Sequence, residues 1–463
     1  MTKRSRAAID AVIKAYDVRG VVGDGIDEDL MRDAGAAFGL LMRREGAGRI
    51  AIGHDMRDSS PGLSRAFAEG AAAQGVDVVM LGLTSTDQLY YASGTLNCPG
   101  AMFTASHNPA EYNGIKLCRA GARPVGQETG LGEIKDLLVD GVPEFDGEAG
   151  EITERDVLSG YAEFLRGLVD LTGGRKLTVA VDVGNGMAGL TAPAVLGDVC
   201  DVRDLYFELD GNFPNHEANP LEPANLVDLQ KFTVEQGADI GLAFDGDADR
   251  CFVIDEKGAP VSPSAITALV ARREIARAKA DGEDTPVIIH NLITSKAVPE
   301  LVAADGGRAV VTRVGHSFIK AVMASEGAVF GGEHSAHYYF RDFFNADTGM
   351  LAAMHVLAAL GGQDVPLSEL ADEYEPYVAS GEINSEVADK DAAVAAVLAD
   401  HEGEDIEVSR MDGTTVSAQD GSWWFNLRPS NTEPFLRYNG EAKDEATMAA
   451  VRDRVLAVVR AER

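Results

Sequence analysis

The chain has 463 residues, with 41 lysines and arginines against 74 aspartates and glutamates, a formal net charge of −33. That excess excludes a general nucleic-acid binder, which needs cations to displace counterions from phosphates, so any anionic ligand must be met by a local basic pocket. With 45% hydrophobic and 25% charged residues the composition is that of a soluble globular protein, and the length predicts three or four domains of about 100–200 residues.

The first segment, MTKRSRAAIDAVIKAYDVRG, is basic but lacks the apolar core of a signal peptide, and no run approaches the roughly 18 residues of a membrane span. Four scattered cysteines (Cys98, Cys118, Cys200, Cys251) show no CxxC spacing. They suggest neither a disulfide framework nor a zinc site, and fit a reducing cytoplasm.

In chain order the same unit is expected three times: RIAIGHDMRDSSPGLSRAFAEGAAAQGVDVVMLG, KLTVAVDVGNGMAGLTAPAVL and PVIIHNLITSKAVPELVAADGGRAVVTRVG. Each reads as an apolar strand, a polar turn and a helix-period segment, usually followed by another strand, which is a βα unit of a mostly parallel sheet. The first strands begin near Ile50, Lys176 and Pro286, a spacing of about one domain. Junctions at VDGVPEFDGEAGE, DEKGAP and ALGGQDVPLSEL divide the chain into 1–150, 151–256, 257–368 and 369–463. The last segment predicts an α+β domain: an extended GEINSEV, a helix DKDAAVAAVLADHEG, strands through SWWFNLRPS and PFLRYNG, and a closing helix.

Four stretches carry chemistry. In ADIGLAFDGDADRCFVIDEKG, Asp245, Asp247 and Asp249 alternate between two strand-like runs, so their carboxylates can converge; such crowding is costly unless a hard cation neutralises it, Mg²⁺ being favoured where phosphate adds an oxygen, and a solvated acidic hairpin is the plainer alternative. An EF-hand reading places Arg250 where the loop needs glycine, and a haloacid-dehalogenase-type phosphatase reading leaves Asp249 in an unexpected place. Arg250 is suited to a phosphate, a sugar hydroxyl or charge balance. In WWFNLRPSNTEPFLRY, Arg428, Ser430, Asn431 and Thr432 form a loop able to cradle a phosphate dianion, and Arg437 adds a second cation. In GGEHSAHYYFRD, Glu333 and Ser335 can receive paired sugar hydroxyls, while His334 and His337 read equally as packed or surface histidines. In GAMFTASHNPAEYNGIK, adjacent side chains seldom face each other, so His107 is poorly placed as a base on Ser106 and a hydrolase triad fits badly. A phosphorylated Ser106 would instead bring charge and acceptor oxygens to a Mg²⁺ held by the three aspartates.

TASHNP (104–109), DGDADR (245–250), GEHSAH (332–337) and RPSNTEP (428–434), with YDVRG (16–20) and RVGHSFIK (313–320), resemble the α-D-phosphohexomutases, most closely the phosphomannomutase/phosphoglucomutase group. The resemblance implies three related α/β domains and a C-terminal TATA-binding-protein-like α+β domain around a cleft. It implies a phosphoserine at Ser106, with Ser106, Asp245, Asp247 and Asp249 binding Mg²⁺, and proton transfer by Lys116 and Arg250 with His107 nearby. Glu333 and Ser335 would meet the sugar, and Arg428, Ser430, Asn431 and Thr432 the distal phosphate. Tyr16, Arg19 and His316 would line the cleft. The implied reaction interconverts hexose 1- and 6-phosphates of mannose or glucose through a hexose 1,6-bisphosphate, which also serves as activator. Phosphoglucosamine mutase and a Mg²⁺-dependent sugar phosphatase are the alternatives, and monomer and homodimer both stay open.

Overall fold

A computed structural model describes residues 4–14, 16–430 and 434–461; the side chains of His316 and Ser317 are outside the description. The described strands form four sheets. The three expected first strands are present at Arg49–His54, Thr178–Asp182 and Val287–Asn291. Alternating burial on both faces of these Val/Ile/Ala-rich runs is replaced by near-continuous burial, as a sheet covered by helices on each side requires.

Register reveals more than repetition of a strand and a helix. In the second sheet, Thr178–Asp182 lies between parallel neighbours Asp201–Leu205 and Ile240–Phe244, and the latter then pairs antiparallel with Cys251–Ile254. In the third, Val287–Asn291 lies between parallel Arg308–Thr312 and Phe330–Gly332, and the latter pairs antiparallel with Tyr338–Phe340. In the first, Arg49–His54 lies between parallel Asp77–Leu83 and Gly100–Phe103, and the latter pairs antiparallel with Tyr112–Arg119. Every unit therefore ends in a reversal after its third strand. The turns at these three reversals are 104–111, 245–250 and 333–337, the three central chemical motifs.

The first sheet takes in Ile152–Glu154 beside Asp77–Leu83, and the second takes in Pro260–Val261 beside Cys251–Ile254. Strand pairing thus carries these sheets a few residues beyond positions 150 and 256, where acidic, glycine-bearing sequence alone suggests a break. The last sheet is antiparallel throughout, ordered Val378–Ala379, Phe435–Ala442, Trp423–Pro429, Thr414–Ala418, Ile406–Ser409, with Ile383–Glu386 also on Phe435–Ala442. The helices Lys390–Asp400 and Glu445–Val459 pack on it, each capped by an aspartate (Asp389, Asp444) that accepts from the first-turn backbone.

One apolar cluster runs from Tyr90 and Cys118 of the first unit through Tyr161, Leu242 and Phe244 of the second to Phe340 and Leu357 of the third. The last sheet keeps its own core around Val416, Phe425, Leu436 and Val455. All four cysteines are free and buried. No described helix is long and apolar enough to cross a membrane.

Candidate active site

The three reversals lie at the carboxyl ends of parallel strands, where open α/β sheets bind ligands. The serine and aspartate turns meet directly. Ser106 Oγ donates to Asp245 Oδ2 at 2.9 Å, and Gly246 lies so close to the Ser106 carbonyl that a Cβ there would stand 2.3 Å from its oxygen. Glycine is therefore the residue that lets the two loops touch.

Lys116, on the strand after the serine turn, bridges Asp247 Oδ2 and Asp249 Oδ2 at 2.6 Å each. Thr86, at the start of the helix Thr86–Thr95, donates its hydroxyl to Asp247 Oδ2 at 2.5 Å and its N–H to the Asp247 carbonyl at 3.0 Å. Arg250 holds Asp245 Oδ2 through Nε at 2.9 Å and Nη2 at 2.8 Å. Burial alone would drive these carboxyls toward the neutral form. Lys116 overcomes it at Asp247 and Asp249, bringing Asp249 down to about 2, while burial and the two neighbouring carboxylates outweigh Arg250 and push Asp245 up to about 7. Lys116 is likewise opposed by burial, but Asp247 and Asp249 hold it above the ordinary lysine range, so it is a cation here.

The aspartates fit a divalent cation. Their ligand oxygens lie within 4.8 Å of one another, and Asp247 Oδ1 and Asp249 Oδ1 are buried with no hydrogen-bond partner. Two orphaned carboxylate oxygens in an all-oxygen set match a hard ion. Asp249, His337 and Asp347 form another close group, but Lys320 Nζ already rests on Asp347 at 2.5 Å.

The expectation that His107 faces away from Ser106 is corrected. Ser106 takes φ +51°, a left-handed conformation uncommon outside glycine, and the kink brings His107 Nδ1 to 3.2 Å from Oγ. That nitrogen also receives Arg250 Nη2 at 2.6 Å, and burial, with the charges of Arg250 and Arg19, pulls the imidazole down to about 3. His107 is a neutral acceptor for Arg250 rather than a free base.

The third reversal closes over the second. Glu333 is buried and accepts from Tyr339 Oη at 2.7 Å, Gly315 N at 3.2 Å and Asn291 Nδ2 at 3.3 Å. Ser335 Oγ lies 3.1 Å from His337 Nδ1, and His337 Nε2 is 3.6 Å from Asp249 Oδ1. Arg250 and His337 also share an isolated antiparallel bridge, joining the second and third sheets at the site. From the first unit, Arg19 donates to Asn108 Oδ1 at 2.7 Å and pairs with Asp17 at 2.7 Å, while the exposed Tyr16 packs edge-on against Phe318.

On the last sheet, Arg428 and Arg437 face each other across paired strands, with Glu382 4.0 Å from Arg428 and 3.4 Å from Arg437. Ser430 N–H donates to the Phe435 carbonyl at 2.9 Å, and Lys390 Nζ donates to the Ser430 carbonyl at 2.9 Å. Asn431, Thr432 and the His316 side chain lie outside the described residues. Burial lowers the His334 imidazole while the Glu382 charge opposes the shift, which puts the 333–337 turn within electrostatic reach of this sheet.

The chain matches the phosphoglucomutase/phosphomannomutase alpha/beta/alpha domains I, II and III over residues 10–138, 159–258 and 262–377, and the C-terminal domain over 382–458. It belongs to the phosphoglucomutase/phosphomannomutase family. It is 38% identical over 443 residues to the phosphohexose mutases of Xanthomonas campestris pv. campestris (strain ATCC 33913), covering 95% of this chain and 96% of the relative. To the phosphomannomutase of Escherichia coli K12 it is 37% identical over 455 residues, covering 96% and 97%. The crystal structure of a phosphoglucomutase/phosphomannomutase family protein from Burkholderia thailandensis superposes with a TM-score of 0.87 at 31% identity, over 99% of each chain.

The expected membership of the α-D-phosphohexomutases therefore stands. In this phosphohexomutase, Ser106, His107, Lys116, Arg250 and the three aspartates form one contiguous cluster, with Arg19 beside it and Glu333 and Ser335 linked to it through His337. Sequence reasoning did not separate His337 from His334; alternation along a turn that leads into a strand was the available signal, since Glu333, Ser335 and His337 share a parity that His334 lacks. It also passed over Thr86, Glu382, and the Asp55–Arg57 pair in HDMRDSS, which it read only as a βα turn.

Proposed function

We propose that this phosphohexomutase interconverts mannose and/or glucose 1- and 6-phosphates, with Ser106 as the phosphoryl carrier. The observation that carries the reading is the meeting of Ser106 Oγ with Asp245 at 2.9 Å beside buried Asp247 and Asp249, each of which keeps an orphaned oxygen. Mannose and glucose follow the names of the relatives; phosphoglucosamine mutase is the second reading.

Asp245, Asp247, Asp249 and an oxygen of phosphorylated Ser106 would hold Mg²⁺, which supplies charge stabilisation to a phosphoryl group in transfer. In the forward step the O–P bond at Ser106 Oγ breaks as a sugar hydroxyl oxygen bonds to phosphorus, and that hydroxyl gives up its proton. Arg250 stays protonated and serves as a charge clamp. Lys116, held as a cation by two carboxylates, can return a proton to a departing oxygen; His337, beside Asp249 and Ser335, is the imidazole placed to take one. Glu333 and Ser335 orient the sugar. Arg428, Ser430, Asn431, Thr432 and Arg437 hold whichever phosphate is not reacting, with Tyr16, Arg19 and His316 lining the approach. The resulting hexose 1,6-bisphosphate turns over and returns its other phosphoryl group to Ser106, so added bisphosphate primes the cycle. Four free, buried cysteines fit a reducing, cytoplasmic location.

The test is to supply Mg²⁺, a trace of glucose 1,6-bisphosphate and, separately, mannose, glucose and glucosamine 1-phosphates. A 6-phosphate from mannose or glucose is expected, with turnover abolished in Ser106→Ala and one phosphate lost from its intact mass. No product from any sugar would refute the reading, and an active Ser106→Ala would turn it toward a phosphatase that uses Asp245.

A further inference from the structure

Arg57 is among the largest fully buried side chains of the molecule, at 1% exposure. It belongs to the turn between the strand Arg49–His54 and the helix Ser60–Ala73. A guanidinium removed from water to this extent is tolerated only when its charge is paired and its N–H groups are used. All five are used. Nε donates to Asp55 Oδ2 at 3.2 Å; Nη1 donates to the carbonyls of Pro109 and Tyr112 at 2.7 and 3.0 Å; Nη2 donates to those of Ser106 and Asn108 at 2.9 and 2.7 Å. Only one of the five serves the turn that carries Arg57. The other four gather carbonyl oxygens along the serine loop.

We propose that Arg57 is a positioning residue for phosphoryl transfer, holding the peptide planes of the 106–112 loop so that their carbonyls point inward and Ser106 Oγ faces the aspartate turn. The proposal rests on the reading that Ser106 carries the phosphoryl group.

Two features give the arrangement a purpose beyond filling space. Ser106 is left-handed at φ +51°, which a side-chain-bearing residue adopts only when its surroundings impose it. The peptides on both sides of it are gripped, the one before through its N–H by Thr104 Oγ1 at 2.8 Å and the one after through its carbonyl by Arg57. A flipped peptide would aim a carbonyl dipole at a phosphoryl dianion on Oγ, whereas the guanidinium holds four such carbonyls on its own N–H groups. The support is itself anchored. Asp55 Oδ1 accepts from Arg57 N at 3.1 Å and Ser60 Oγ at 2.6 Å, the second unit presses on Arg57 through Gly211, where a Cβ would lie 2.6 Å from the Arg57 Cα, and the Phe213 ring stacks 5.2 Å from the guanidinium carbon. Lysine keeps the charge but has three N–H groups and no planar fork, so it cannot hold four carbonyls and a carboxylate together.

The test uses full-length wild type and Arg57→Lys with Mg²⁺ and glucose 1,6-bisphosphate, following the gain of one phosphate on Ser106 by intact mass, and kcat and KM with a hexose 1-phosphate. For Arg57→Lys the rate of Ser106 phosphorylation and kcat are expected to fall about 100-fold, the scale of a displacement near 1 Å, with KM within about twofold. A wild-type rate of phosphorylation and kcat in the variant overturns the proposal, as does a loss confined to KM. Should Arg57→Lys not fold, Thr104→Val decides, since it releases the N–H of the same residue and keeps both charges of the buried pair in place, removing only the Thr104 hydroxyl that also meets Asp55. Loss of kcat at constant KM then supports the proposal, and unchanged kcat overturns it. Wild type that takes no phosphate on Ser106 would instead refute the phosphoserine reading itself, so the two failures are distinguishable.

Discussion

The aspartate turn and the arginine pair of the last sheet both gather charge, but in opposite physical settings. Ser106, Asp245, Asp247, Asp249 and Arg250 are 0–5% exposed, whereas the side chains of Arg428 and Arg437 keep 20% and 29% exposure. Buried charges are expensive unless matched, and each aspartate is held by a lysine, an arginine or a hydroxyl drawn from another part of the chain. The apolar cluster beneath them is continuous across the first three units, while the last sheet has its own. The proposed transfer side is thus already assembled without a ligand. The arginine side stays hydrated and is joined to the third unit by a few polar contacts, Asp412 with Val314 N at 3.1 Å and Glu441 with Lys296 N at 3.0 Å.

The sharpest way to break the first setting is Lys116→Met. It should lower kcat by about 10²–10⁴-fold, the range for a positioned acid–base group, while KM stays within a few fold. It also leaves Asp247 and Asp249 facing each other without a cation. The variant should therefore melt below wild type in Mg²⁺-free buffer and recover much of the gap when Mg²⁺ is added. A variant whose melting temperature ignores Mg²⁺ would show that the aspartates do not form the ion site.

Breaking the second setting should look different. On the proposed role of Arg428, Arg428→Gln would remove charge-assisted hydrogen bonds to the distal phosphate, so KM for the hexose 1-phosphate should rise about 10- to 100-fold with kcat largely kept. Steady-state kinetics separate the two outcomes. A collapse of kcat with unchanged KM would place Arg428 in the chemistry and erase the contrast.

The same contrast explains what was readable in the sequence. The repeated first strands and the α+β tail were legible because apolar runs and helix periods are local, and the aspartates because three carboxylates in six residues demand a cation. That the serine, aspartate and sugar turns occupy equivalent reversals was not legible, because it depends on which strand pairs with which. His107 was misread because a left-handed Ser106 turns adjacent side chains together. Arg57 escaped notice because its four carbonyl partners lie about fifty residues away and have no side-chain signature.

A smaller effect tests the junction beneath the transfer side. Asp87, buried and in no ion pair among the described residues, accepts from Ser85, from Tyr161 Oη at 2.5 Å in the second unit and from Thr348 Oγ1 at 2.7 Å in the third. Burial raises its carboxyl from 3.8 to about 6 despite these three hydroxyls. Between those values the folded protein retains a proton that the unfolded chain has lost, so this group's stabilising contribution is complete below about 4 and is lost as pH rises through about 6. Asp87→Asn cannot titrate. The melting temperature of the variant relative to wild type should therefore climb between pH 4 and 6 and then level off; a constant difference would mean that Asp87 does not titrate in this window.

The smallest expected effect bears on why an acid sits between the two arginines. Glu382 lies 3.4 Å from Arg437 and 4.0 Å from Arg428, distances of a loose, partly hydrated pairing. Such a contact contributes little to folding, and its charge opposes an incoming phosphate dianion. The arginines do not depend on it for place, because their strands are paired residue for residue from Trp423 with Ala442 to Pro429 with Leu436. Glu382→Gln should therefore lower KM by about two- to fivefold, the equivalent of an exposed ion pair, without changing kcat. If KM rises instead, Glu382 orients the guanidinium forks, and the arginine side would share the pre-built character of the transfer side rather than contrast with it.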